Sequence, residues 1–138
     1  MNIFECLRED HLVQRELSGK LIRTHGDSDA RKRVFQELKL EMMAHAKAEE
    51  RYFYIPLLEE DLTQEKARHS ISEHHELDEF VADLESTAYS ASAWLVTAKK
   101  LEERLRHHLD EEEHEVSSWQ EKRSQKRRKL RSHRNTGS

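Results

Sequence analysis

Apolar positions along this chain recur at helical spacing, every third or fourth residue, rather than alternating as in a strand. Over residues 2–24, Phe4, Leu7, His11, Gln14, Leu17 and Leu21 share one stripe, with Val13 and Ile22 beside it. Thr24-His25-Gly26-Asp27 reads as a stop, because Gly26 can take the left-handed C-cap conformation. Ser28 or Asp27 can N-cap a second helix from about Asp29 to Leu58, with Pro56 near its end to kink or close it. Asp61-Leu62-Thr63-Gln64 has the form of a capping box and predicts a third helix over about 62–86. Thr87 to Ala91 is small and polar and reads as a loop. Ser90 or Ser92 then caps a fourth helix from Ala93 onward, with Trp94, Leu95, Ala98, Leu101, Leu105, His108 and Leu109 on its inner face.

Four helices joined by short loops predict an all-α fold, an up-down-up-down antiparallel four-helix bundle. Composition fits this: 35% apolar and 38% charged residues suit amphipathic helices with solvated outer faces, and three glycines and one proline leave few turns. A length of 138 residues suffices for one domain with a real core. No run of about 18 apolar residues suggests a membrane span, and Met1 to Asp10 lacks the basic and apolar regions of a secretory signal. The single cysteine, Cys6, excludes an internal disulfide, fits a reducing cytoplasm and is most simply a small core residue of the first helix. After Val116 the apolar stripe stops. Residues 117–138 carry eight Lys or Arg against one Glu, a formal +7, which leaves −11 on residues 1–116 of a chain whose net charge is −4. The expected organisation is therefore a bundle over 1–116 and a basic tail over 117–138, a frayed helix end followed by disorder.

The chemistry concentrates in the stretch from Met42 to Pro56. Leu38, Met42, His45, Glu49 and Phe53 follow helical steps, so an imidazole and a carboxylate fall on the line that faces the core. An ionised carboxylate is costly in an apolar interior unless something compensates it. Spacing alone cannot identify partners, because seven of the ten histidines have an acid four residues later. Helical phase selects better. In the third helix His74 lies in the stripe of Ile71, Leu77, Asp78, Val81 and Leu84, whereas His75 points about 100° away and His69 sits among acids. In the fourth, His108 and Glu112 continue Leu101 and Leu105, and Val116 extends the stripe, whereas His107 runs with Lys100, Arg104, Glu111 and His114 on a solvated face. His11 is in phase with Phe4 and Leu7.

One inward histidine per helix and two inward glutamates remain: His11, His45, His74, His108, Glu49 and Glu112. Any one of these histidines alone is ordinarily a hydrogen-bonded core residue. A plain core has no reason to place six polar groups on four apolar stripes, since each costs about 1–3 kcal/mol if unsatisfied. A metal centre does. Imidazole and carboxylate without thiolate suit iron, manganese or zinc, and two carboxylates between facing helices can bridge two ions.

These residues resemble the hemerythrin-like HHE cation-binding family over about Asn2 to Val116. The resemblance rests on R-E-D-H ending at His11, H-A-K-A-E-E-R-Y-F-Y-I-P from His45, E-H-H-E-L-D-E-F around His74 and H-L-D-E-E-E-H-E-V from His108. It implies a non-haem di-iron centre in which Glu49 and Glu112 bridge the two irons, His11 and His45 serve one, and His74 and His108 serve the other. Zinc or manganese are expected to substitute in vitro. Oxygen-carrying members have a second histidine on the third helix where this chain has Asp78, which either ligates or leaves a position for water. Relatives usually continue the fourth helix with apolar residues, whereas this chain turns basic.

The leading functional expectation is a di-iron protein that binds or senses oxygen, nitric oxide or peroxide, or that handles iron. Its partners would be metal ions and a small diatomic ligand or peroxide. An enzyme reducing peroxide or oxygen would use the same ligands. A third reading makes the chain an interaction module acting through K-R-S-Q-K-R-R-K-L-R without metal chemistry. That segment lacks aromatics for base stacking and the acidic body repels phosphate, so nucleic acid is not an expected partner. Tyr52 and Tyr54 are candidates to support the metal ligands, although packing with the hydroxyl at the surface is their simpler role. Trp94 is expected as a core anchor and Trp119 as an exposed residue.

Overall fold

The structure, a computed structural model, describes residues 3–54 and 64–136. Among them every regular element is helical: α1 (Ile3–Leu21), α2 (Asp29–Glu49), a π-helical continuation of α2 (Glu50–Tyr54), α3 (Gln64–Ser86) and α4 (Ser92–Thr136). The expectations for Pro56 and for the Asp61 capping box fall outside the described residues, as do the side chains of Phe4, Phe53, Tyr54, Val116 and Trp119. No described helix is long and apolar enough to cross a membrane.

α1 packs on α2 and on α4, and α3 packs on α4. Contacts between α1 and α4 run in opposite chain order, His11 meeting Glu113 while Arg15 meets Asp110. The α3–α4 contacts do the same, from His69 with Glu111 to Glu76 with Arg104. The apolar stripes meet in one cluster that includes Leu17, Leu21, Phe35, Leu38, Leu77, Leu84, Trp94, Leu101 and Leu105. Those residues come from the end of α1, the start of α2, the end of α3 and the start of α4, so the dry core fills one end of the bundle. Trp94 is fully buried, as expected of an anchor; its ring meets Phe35 edge-on at 5.7 Å and its Nε1–H donates to the Leu84 carbonyl. Two minor expectations change: Val13 is exposed, and Cys6 is only half-buried.

The turn between α1 and α2 is built differently from the expected glycine cap. α1 ends at Leu21, three residues early, because the Thr24 hydroxyl donates to the Leu21 carbonyl at 2.6 Å. Gly26 does take positive φ, +54°, but within the turn that follows. Ser28 is the N-cap of α2, accepting from the Arg31 N–H at 3.1 Å. Arg31 itself is buried, which its position in a solvated-looking first turn does not suggest. Its guanidinium donates to the Thr24 hydroxyl, the Thr24 carbonyl and the Tyr89 carbonyl, and lies 4.5 Å above the Trp94 ring. One side chain thus ties the α1–α2 turn to the α3–α4 loop. Burial lowers its pKa from the usual arginine value.

The expected fraying and disorder after Val116 are not seen; α4 runs unbroken to Thr136. The reason is local. Ser92 to Thr136 contains no Gly or Pro, and the Lys, Arg, Gln and Glu that dominate its last part are good helix formers. The side chains described there, from Gln125 to Ser132, are exposed, so this part of the helix stands without packing.

Replacing Arg31 by alanine is expected to lower stability by about 2–4 kcal/mol, since it unpairs two carbonyls and uncovers Trp94. Urea denaturation followed by circular dichroism measures this. The change should leave the polar end of the bundle, described next, intact.

Candidate metal centre

Toward the other end of the bundle the stripes change from apolar to polar. His11, His45, Glu49, His74, His108 and Glu112 are all buried, none more than 6% exposed. His75 and His107 are exposed, as their phase predicts. The six buried side chains fall into two overlapping groups that could each hold a metal ion, His11-His45-Glu49-Glu112 and Glu49-His74-His108-Glu112. Ligand atoms within each group lie within 4.8 Å of one another. The structure does not bring Asp78 into either group; it is exposed at the edge of the site.

The spacing is that of donor groups that could hold a metal ion. The Nε2 atoms of His11 and His45 are 3.1 Å apart, and those of His74 and His108 are also 3.1 Å apart. Two nitrogens each about 2.1 Å from one ion are separated by roughly 3 Å. Glu112 directs Oε1 to His11 and His45, at 2.8 and 3.4 Å, and Oε2 to His108 at 3.2 Å. Glu49 Oε1 lies 3.1 Å from His45 and 3.4 Å from His74. Each carboxylate therefore reaches both histidine pairs.

The opposite ring nitrogens are fixed by acids that phase reasoning did not single out. His11 Nδ1–H donates to Glu113 at 3.1 Å, His45 Nδ1–H to Asp10 at 3.1 Å and His108 Nδ1–H to Glu73 at 3.0 Å. Glu50, in the π-helical turn, approaches His74 Nδ1 at 3.9 Å. An ionised carboxylate can only accept, so each of these three bonds places the proton on Nδ1 and leaves Nε2 as the donor atom for a metal. A signal for these acids exists in the chain: each adjoins an inward ligand, as Asp10-His11, Glu49-Glu50, Glu73-His74 and Glu112-Glu113. Tyr52, a candidate support, is 59% exposed.

Without metal, protons balance the buried carboxylates. Burial opposes charge on His45, but hydrogen bonds to Glu112 and Glu49 outweigh it and raise the imidazole to about 11. For His108, burial is likewise outweighed by Glu112 and Glu73, and the pKa rises to about 10. Burial acts to raise the pKa of Glu112, yet hydrogen bonds, from Glu49 first and then from His108, His11 and His45, hold it well below the usual carboxylate range. Neutral imidazole and ionised carboxylate are the metal-binding forms, so a metal ion entering the site displaces these imidazole protons. The donor chemistry thus fits a metal.

A third group, His69, Glu73 and Glu111, lies nearer the surface, with His69 exposed.

A family model for the hemerythrin HHE cation-binding domain matches residues 2–119. No curated protein and no solved structure matches the chain.

The raised imidazoles set the pH dependence of the metal-free protein. A group whose folded pKa exceeds its unfolded value of about 6.5 contributes stability in full below that pH and loses it as pH rises through the folded value. The window here runs from about 6.5 up to the values of about 10 and 11 for His108 and His45. Chelator-treated protein should therefore have a lower urea midpoint at about pH 9 than at about pH 6.5. His45→Ala should flatten the slope.

Proposed function

The chain belongs to the hemerythrin HHE cation-binding family, and on that footing we propose that it holds two iron ions and uses them to bind or sense a small ligand, oxygen, nitric oxide or peroxide. In this reading the four helices form an up-down-up-down antiparallel bundle over residues 1–116. His11 and His45 hold one ion, His74 and His108 the other, and Glu49 and Glu112 bridge them. The single cysteine accords with a reducing cytoplasmic setting.

The observation that carries the reading is the pairing of imidazole Nε2 atoms at 3.1 Å on both sides of two shared, buried carboxylates. An iron pair held there would supply one-electron redox chemistry. The chain's own residues do the rest. Asp10, Glu73 and Glu113 hold three of the imidazoles in one tautomer and make their Nε2 atoms more basic. Glu49 and Glu112 are buried between the helices, where their ionised forms offset the charge of the cations. Met42, Leu77 and Leu105 line the approach and keep it narrow.

Protein purified without chelator should contain two irons per chain by elemental analysis, with near-ultraviolet charge-transfer bands. His74→Ala should lose most of the iron, whereas His75→Ala and His107→Ala should retain it. The reverse pattern, or a wild-type protein that takes up no iron, sinks the reading. The basic segment is proposed to stand apart from this chemistry. Deleting residues 117–138 should leave iron content unchanged and lower the melting temperature by no more than a few degrees.

A further inference from the structure

One buried polar atom near the centre is not used by any of the contacts above. Gln14 lies three residues after His11 on α1, on the same inward stripe, and is 2% exposed. Its Nε2 has no hydrogen-bond partner among the described residues. A buried amide left in that state costs about 1–3 kcal/mol, so a partner is missing. Gln14 also lines a cavity of about 20 Å³. His45, His74 and His108 line the same cavity, with Met42 and Leu77. A space of that size admits one water-sized occupant, and such an occupant needs polar partners to stay. Three of the buried histidines stand among its walls, and Gln14 is the residue that lines it from α1. The route in is visible as well. Exposed Asp78 contributes to the wall, and a larger surface groove between α2 and α3 shares Met42, Ala46 and Asp78 with the cavity.

We propose that Gln14 is a specificity-determining residue, whose side-chain N–H donates to a small anionic ligand admitted to the cavity beside the metal centre. The proposal rests on the metal reading above and adds to it the class of ligand. An amide donor favours a ligand that carries negative charge and accepts a hydrogen bond, because bonds to charged acceptors are the stronger ones. A neutral diatomic of the same size gains much less from it. The residue acts on the ligand and not on the ions, since it belongs to neither histidine–carboxylate group.

Gln14→Met keeps length and volume while removing the donor. Iron-loaded wild type and variant are compared for iron content, melting temperature, and affinity for cyanide, an anionic diatomic, and nitric oxide, a neutral one. Both ligands are followed by optical spectroscopy. The expected result is equal iron content and a melting temperature no lower than wild type, because an unpaired buried amide has been removed. Cyanide affinity should fall by about tenfold or more, while nitric oxide affinity changes by less than about threefold. Unchanged cyanide affinity at equal iron content overturns this proposal and leaves the metal reading standing. Equal losses for both ligands also overturn it, since they mark a change of cavity shape. Loss of iron from a folded variant assigns Gln14 to holding the metal and overturns it too. A wild-type protein that takes up no iron overturns the metal reading, and this proposal with it.

Discussion

Two carboxylates buried between helices are the constraint on which the rest of the structure depends. Glu49 and Glu112 cannot be ionised in that interior without positive charge close by. Imidazoles provide it, His45 and His108 in protonated form, or provide the nitrogens that hold a cation in its place. The site is therefore an exchange device, with protons and metal competing for the same inward atoms. The raised His45 and His108 and the depressed Glu112 are three views of one balance.

This constraint divides the bundle. At one end, Trp94, Phe35, Leu84 and Leu101 pack as an ordinary dry core, closed by Arg31 and its three carbonyl and hydroxyl acceptors. At the other end the described inward positions include the six polar groups His11, His45, Glu49, His74, His108 and Glu112. The cost of the centre is borne by the core at the opposite end, an arrangement in which stability and chemistry are assigned to different turns of the same four helices.

Much of this was legible in the chain because helical phase is a strong signal when the stripe is clean. His74 and His75 are neighbours with the same sequence context, yet phase separated the buried one from the exposed one. All six inward polar groups were found in the same way. What phase could not find were residues whose role is set by a different helix. Arg31 sits in a solvated-looking first turn and is buried because Thr24, the Tyr89 loop and the Trp94 ring surround it. Asp10, Glu73 and Glu113 lie on the flanks of their own helices and are functional only relative to a neighbour's imidazole. The continuation of α4 to Thr136 was missed for another reason: loss of an apolar stripe signals loss of packing, not loss of helix, and the propensity of Lys, Arg and Gln carried the helix on.

The supporting acids have one further property. Asp10 of α1 serves the imidazole on α2; Glu50, at the end of α2, approaches the one on α3; Glu73 of α3 serves α4; and Glu113 of α4 returns to α1. Each helix hands an acid to its successor in chain order, and the circuit closes on itself. Rotating any single helix about its axis would break one link it offers and one it receives. The circuit is thus a rotational lock with a built-in direction, and it distinguishes this cyclic order of helices from its mirror or any shuffled neighbour.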